Sequence, residues 1–173
     1  MRRALWVGLF LTTFAASALA ASKVYDRIKR DDLAVVDDDN PHMATALRRA
    51  RETLPGFLAL SRAPKPSMSV FSVKVAVPTP QGDEYFWIGH FKQDDGHYSG
   101  RIDNTPRWAT WLKEGAVISF SEIEIVDWMY LDGGAMRGNF TFCALMKGEP
   151  KKEAAAMIRK FGLDCRFLDG DRR

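Results

Sequence analysis

Residues 71–92 read FSVKVAVPTPQGDEYFWIGHFK, and this stretch decides the fold class. Phe71, Val73, Val75 and Val77 alternate with Ser72, Lys74 and Ala76, the period of two that belongs to a half-buried strand. Residues 78–83 hold two prolines and a glycine and turn the chain. Residues 84–92 form the next strand, which places Tyr85, Trp87 and Phe91 on one face and Phe86, Ile88 and His90 on the other. Asp94-Asp95-Gly96 is a second turn, followed by a strand over residues 97–102. A short helix is expected from Thr105-Pro106 through Trp108 to Lys113, stopping at Gly115. Strands follow over 116–120 and 123–131, Asp132-Gly133-Gly134 turns, and residues 135–146 read as a last strand or pair of strands. Short connections between consecutive strands imply an antiparallel sheet.

Helices flank this sheet. Asn40 or Asp39 can cap a helix whose first turn holds Pro41, and Met43, Ala46, Leu47, Ala50, Leu54, Phe57 and Leu58 form a stripe of period near 3.6. Pro55-Gly56 should kink or end it. At the other end Pro150 opens a helix whose stripe is Ala154, Met157, Ile158 and Phe161, and Gly162 stops it. Cys165, Phe167 and Leu168 read as a final short edge strand, and residues 169–173 as a loose tail. The expected fold is α+β: one domain over residues 41–168, a curved antiparallel sheet with a long N-terminal helix and a C-terminal helix packed on it.

The first twenty residues, MRRALWVGLFLTTFAASALA, carry a basic pair, a short apolar run and the small-x-small ending Ala18-Leu19-Ala20. That is the pattern of a signal peptide cut after Ala20, and the run falls short of the ~20 apolar residues that a membrane span needs. The expected address is the bacterial periplasm, with no stable membrane span once the leader is removed. Residues 21–40 are charged and polar and end in Asp37-Asp38-Asp39, the composition of a tether. In an oxidising compartment Cys143 and Cys165 can pair; two buried thiols are the alternative. The whole chain has 25 basic and 22 acidic residues, and losing Arg2 and Arg3 with the leader leaves 23 against 22. Without a clustered excess of base, nucleic acid is excluded as the leading partner.

Several segments together resemble a known family: Ala50-Arg51-Glu52-Thr53-Leu54-Pro55, Phe71-Ser72-Val73-Lys74-Val75, Glu84-Tyr85-Phe86-Trp87-Ile88, Gly100-Arg101-Ile102-Asp103-Asn104-Thr105-Pro106, Gly115-Ala116-Val117-Ile118-Ser119-Phe120 and Ile125-Val126-Asp127-Trp128-Met129-Tyr130. In this order they resemble the YegJ-like family of bacterial proteins, over roughly residues 43–147. The resemblance implies a domain of unknown function and no catalytic residues.

Thirteen of the seventeen aromatic residues beyond the leader lie between Phe71 and Phe142, and the second strand carries large rings on both faces. Either helices cover both faces, the expected arrangement, or rings are offered to a partner. Candidate binding residues are Trp87, His90, Asn104, Trp108, Trp111, Asp127 and Trp128. Asp127 beside Trp128 has the composition of a general acid against an apolar wall, yet neighbours on a strand point to opposite faces. Asn104 is a turn lock, or with Trp108 and Trp111 a polar and stacking rim. His90 and His97 flank a turn but lack any further histidine at ligand spacing, so no metal is assigned. There is no Gly-x-Ser-x-Gly elbow, no phosphate-cradling loop and no cofactor motif. The expectation is a non-catalytic binding module for an envelope protein or a cell-wall fragment. The alternative is a small hydrolase of envelope polymers that pairs Asp127 with Glu84 or Glu122, since acid and base work needs two carboxyl groups with separated pKa values.

Overall fold

The computed structural model describes residues 40–94 and 96–170; the expected leader, the tether as far as residue 39 and the last three residues lie outside the described residues. Helix α1 (Pro41–Arg62) starts as its sequence predicts: Asn40 Oδ1 accepts the amides of His42 at 2.9 Å and Met43 at 3.3 Å, and Pro41 occupies the first turn. It does not end at Pro55-Gly56 but runs on to Arg62. Phe57 and Leu58, just past the proline, are 1% and 4% exposed. Burying both stabilises by roughly 4 kcal/mol or more, enough to offset the ~3 kcal/mol that an interior proline costs.

Six strands form one antiparallel sheet: β1 (Met68–Thr79), β2 (Gly82–Asp94), β3 (His97–Ile102), β4 (Val117–Phe120), β5 (Ile125–Asp132) and β6 (Ala135–Gly138), in the order β4-β3-β2-β1-β5-β6. Only residues 121–124, mostly a 3-10 turn (Glu122–Glu124), connect β4 to β5, although β3, β2 and β1 lie between them. Four strand spacings across a flat sheet would be about 19 Å. A turn rising about 2 Å per residue cannot cover that span, so the sheet is curled, with its two edges unjoined. The helix side of the curl is filled by Leu54, Phe57 and Leu58 of α1 against Val73, Val75, Phe86, Ile88, Tyr98, Ile102, Phe120, Ile125 and Trp128.

Three irregularities re-aim side chains from the simple alternation. His90 sits at φ +50° where the β2/β3 register slips between Gly89 and Lys92. The slip turns Phe91 to the helix side, 6.0 Å from the Phe57 ring, rather than to the face of Tyr85 and Trp87. Val70, at φ +54°, marks a slip between Ser69 and Ser72. A third slip, where Lys74 pairs with Asp127 but Val75 pairs with Ile125, lets Ile125 and Trp128 both reach the core while Asp127 faces away with Lys74.

The expected strand over residues 135–146 is half strand and half helix. At the end of β6, Gly138 at φ +78° and then Asn139 at φ +54° break the extended backbone, and α2 (Phe140–Met146) follows. Its sequence FTFCALM is apolar apart from Thr141, so periodicity alone cannot separate helix from strand. Helix α3 (Lys151–Phe161) ends at Gly162 in the left-handed conformation, as expected. The expected final strand is a 3-10 turn (Arg166–Asp169), and residues 103–116 hold turns where a short helix was expected.

Helices α2 and α3 and the chain after them build a second cluster from Phe142, Met146, Ala154, Met157 and Leu163, with Met136 of β6 packed on it. Here Cys143 and Cys165 come together at a Cα separation of 5.4 Å as a disulfide. The C-terminal helix therefore joins the sheet at its β6 edge; on the far face Ser72 and Lys74 of β1 are buried, while Tyr85 and Trp87 of β2 are only half-buried. Among the described residues no helix is long and apolar enough to cross a membrane.

Candidate functional site

On the far face, Lys74 and Trp87 are direct cross-strand neighbours, and the ammonium lies 5.2 Å from the ring centroid. Lys74 is only 9% exposed and donates to Thr141 Oγ1 at 3.3 Å. Its neighbour across the other strand is Asp127, which is fully buried. The carboxylate accepts from the amides of Trp128 (2.8 Å), Phe140 (3.2 Å) and Thr141 (2.8 Å), and from Thr141 Oγ1 (2.7 Å). Burial pushes its pKa above the ordinary aspartate value, and the Lys74 charge and the bonds from Thr141 and Trp128 pull the other way. This group ties β1, β5 and the start of α2 together. Its four acceptor sites are all in use, so it offers no lone pair to an incoming substrate.

Glu84 has the same character. At 4% exposure, it accepts the amides of Arg107 (2.5 Å), Trp108 (3.0 Å) and Ala109 (2.6 Å) and so clamps the loop 103–116 to β2. Asn104 makes the second clamp: Oδ1 accepts the Trp87 amide at 2.9 Å, and Nδ2 donates to the Tyr85 carbonyl at 3.3 Å. Its amide thus replaces a ladder partner on β2 rather than locking its own turn. Ala109, fully buried, plugs the loop into the core. Glu122, the other carboxylate considered for a hydrolytic pair, is exposed and accepts the Tyr98 hydroxyl at 3.2 Å.

The pinned loop projects rings outward. Trp111 is 60% exposed, and Trp108 is half-buried beneath the Arg107 guanidinium, 5.5 Å from its centroid. Trp128 lies elsewhere. Its ring is in the core, stacked on Phe57 at 4.8 Å, and its indole N–H donates to Ala50 O at 3.0 Å. His90 is exposed on its bulge at the far end of β2. Among the described residues no three His, Cys, Asp or Glu side chains are grouped to hold a metal ion. The structure thus brings Trp87, Asn104, Trp108 and Trp111 onto one strand-and-loop unit and sets Asp127 and Trp128 inside the protein. Residue spacing carried no sign of Lys74, or of Glu84 as a brace instead of a reagent, because Asp127 and Thr141 for Lys74 and residues 107–109 for Glu84 are more than twenty residues away in sequence.

The sequence profile of a family described as an uncharacterized protein conserved in bacteria (DUF2314) matches residues 40–165. The chain belongs to this family. DUF2314 thus spans both clusters and reaches Cys165, further than the segments up to residue 147 suggested. A DUF2314-sized stretch of 130 residues is 28% identical to the uncharacterized protein YegJ of Escherichia coli (strain K12), covering 75% of this chain and 84% of that protein. No solved structure matches the chain.

Proposed function

We propose that this DUF2314 protein is exported to the bacterial periplasm and works there as a binding module, holding an envelope protein or a cell-wall fragment without transforming it. The observation that carries the reading is an exposed ring on a fixed support: Trp111 stands 60% exposed on a loop clamped by Glu84 and Asn104. A ring held out in this way presents a large contact area without loss of loop entropy on binding. Trp108 under Arg107, and Trp87 under Lys74, extend the same chemistry to rings that are already partly desolvated. Catalysis by a carboxylate pair is disfavoured by the same geometry, since Asp127 and Glu84 spend their oxygens on backbone amides of the fold. Export is supported by the leader pattern of residues 1–20 and by the paired cysteines.

The test is capture. The chain from Ala21 onward, immobilised and incubated with solubilised envelope, should retain a partner that the Trp111→Ala variant, folded normally by its melting curve, releases. Turnover of a wall polymer by the purified chain, abolished by Asp127→Asn, would replace this reading with the hydrolytic one.

A further inference from the structure

A second surface lies apart from the rings just described. Between the first half of α1, strand β6 and residues 164–170 runs a half-open groove of about 940 Å3, within the usual ~300–1,000 Å3 of ligand pockets. Its floor is the seam between the two hydrophobic clusters: Phe140, packed on the first, meets Phe167 of the second edge-on at 5.2 Å, with Met136 beside them. Its rim carries Arg48, Arg49 and Arg137, all exposed.

The acids in the groove are already engaged. Glu52 faces Arg48 at 3.9 Å, Asp164 holds Arg166 at 2.5 Å, and Asp169 pairs with Lys147. Asp164 is held down to about 2, chiefly by its bonds to Arg166, with Arg137 adding a more distant attraction. The guanidinium groups of Arg49 and Arg137 make no hydrogen bond or ion pair among the described residues, so two planar, always-charged forks flank an apolar floor. Guanidinium forks match carboxylates in geometry and charge. The disulfide at Cys165, next to Arg166 and Phe167, keeps the far wall in place before anything binds.

We propose that this groove binds an acidic peptide segment, with carboxylates on Arg49 and Arg137 and an apolar side chain between them on Phe140 and Phe167. The site is separate from the Trp111 loop and does not depend on it. The protein's own Asp37-Asp38-Asp39 run, which enters α1 through Asn40, is the competing occupant.

The experiment is fluorescence anisotropy of the intact mature chain with a labelled Gly-Asp-Phe-Asp-Gly peptide and its Gly-Asn-Phe-Asn-Gly counterpart. The acidic peptide should bind, with affinity that falls as salt rises, and the amide form should bind about tenfold more weakly. Arg49→Gln and Arg137→Gln should each weaken the acidic peptide by about tenfold at unchanged melting temperature, and Trp111→Ala should leave it unaltered. Equal binding of the two peptides, indifference to both arginine variants, or loss of binding in Trp111→Ala would overturn the proposal. So would acidic-peptide binding seen only after Asp37→Asn, Asp38→Asn and Asp39→Asn are combined, which would assign the groove to the chain's own acidic run.

Discussion

Asp127 and Thr141 are joined twice, the carboxylate accepting the threonine amide at 2.8 Å and its hydroxyl at 2.7 Å. Fourteen positions separate them in sequence, and the joint is what starts α2 as a helix. The first backbone amides of a helix lack internal partners, and here an acid on a neighbouring strand supplies them. Asp127 is thus a helix cap delivered from outside the helix.

Asp127→Asn should therefore destabilise the protein by about 3 kcal/mol, because an amide NH2 would be turned on donors and Lys74 would lose its counter-charge. Linkage gives the sign with pH. Burial raises the folded-state pKa of Asp127, so the component it contributes is full below the unfolded value near 3.8 and is lost as pH rises through the raised one. Glu124 and Asp164, whose pKa values are lowered in the fold, act in the opposite direction but equally in both proteins. The stability gap between wild type and Asp127→Asn in urea melts should narrow as pH increases. A gap that widens would mean that the four donors and Lys74 outweigh burial.

Removing the Glu84 clamp should free the loop while leaving the sheet. Glu84→Ala removes the carboxylate that accepts three loop amides, a loss of about 2 kcal/mol. Hydrogen exchange should quicken at the Arg107 and Ala109 amides, and the Trp128 amide, held by Asp127, should stay protected. Uniform quickening would show instead that Glu84 supports the whole domain.

Two glycines on the sheet should differ sharply. A Cβ at Gly138, where φ is +78°, would lie 2.1 Å from the Trp128 carbonyl oxygen and 2.5 Å from its ring. Gly138→Ala should cost more than about 3 kcal/mol from strain and displaced core, with a changed Trp128 emission. The nearest atoms to a Cβ at Gly89 all belong to the carboxylate end of exposed Asp103, the closest at 2.2 Å, and that side chain can swing away. Gly89→Ala should stay within about 1 kcal/mol of wild type. Matching melting temperatures for the two variants would refute the distinction.

The disulfide should act regionally. Cys143 and Cys165 are 22 positions apart, which gives about 3 kcal/mol in the chain-entropy description. Reduction should loosen α3 and residues 163–170 first, seen as faster exchange there, while the helix-side core with Phe57 and Trp128 keeps its protection. Simultaneous loss in both regions would show that the clusters unfold as one.

Tryptophan substitutions separate core from surface. Trp128→Ala should cost about 4 kcal/mol, since a ring stacked on Phe57 leaves a cavity. Trp111→Ala should change stability by less than about 0.5 kcal/mol. Only the second can report on binding, and a comparable melting shift in both would place Trp111 in the core as well.

Much of this was legible from the residues alone. The alternation of Phe71, Val73, Val75 and Val77 marks β1 because those four side chains pack on the helix-side core, although Ser72 and Lys74 on the other face are buried as well. The 3.6-residue stripe from Met43 to Leu58 marked α1 for the same reason. Simple alternation places Phe91 on the wrong face of β2, since the left-handed His90 that turns it leaves no trace in residue type. Among the candidate residues, Asn104 was singled out, yet its partners, the backbone of Tyr85 and Trp87, became visible only when β2 and the loop were placed side by side.

Period and composition are local properties, and they settled which segments bury one side, where turns fall, and that no nucleotide-binding or nucleophile motif is present. Whether 140–146 is helix or strand, whether Cys143 meets Cys165, and whether Asp127 and Glu84 are reagents or braces depended on the curl of the sheet. The reason is physical. A buried carboxylate takes its role from the donors around it, and here those donors arrive from elements that only packing brings into contact.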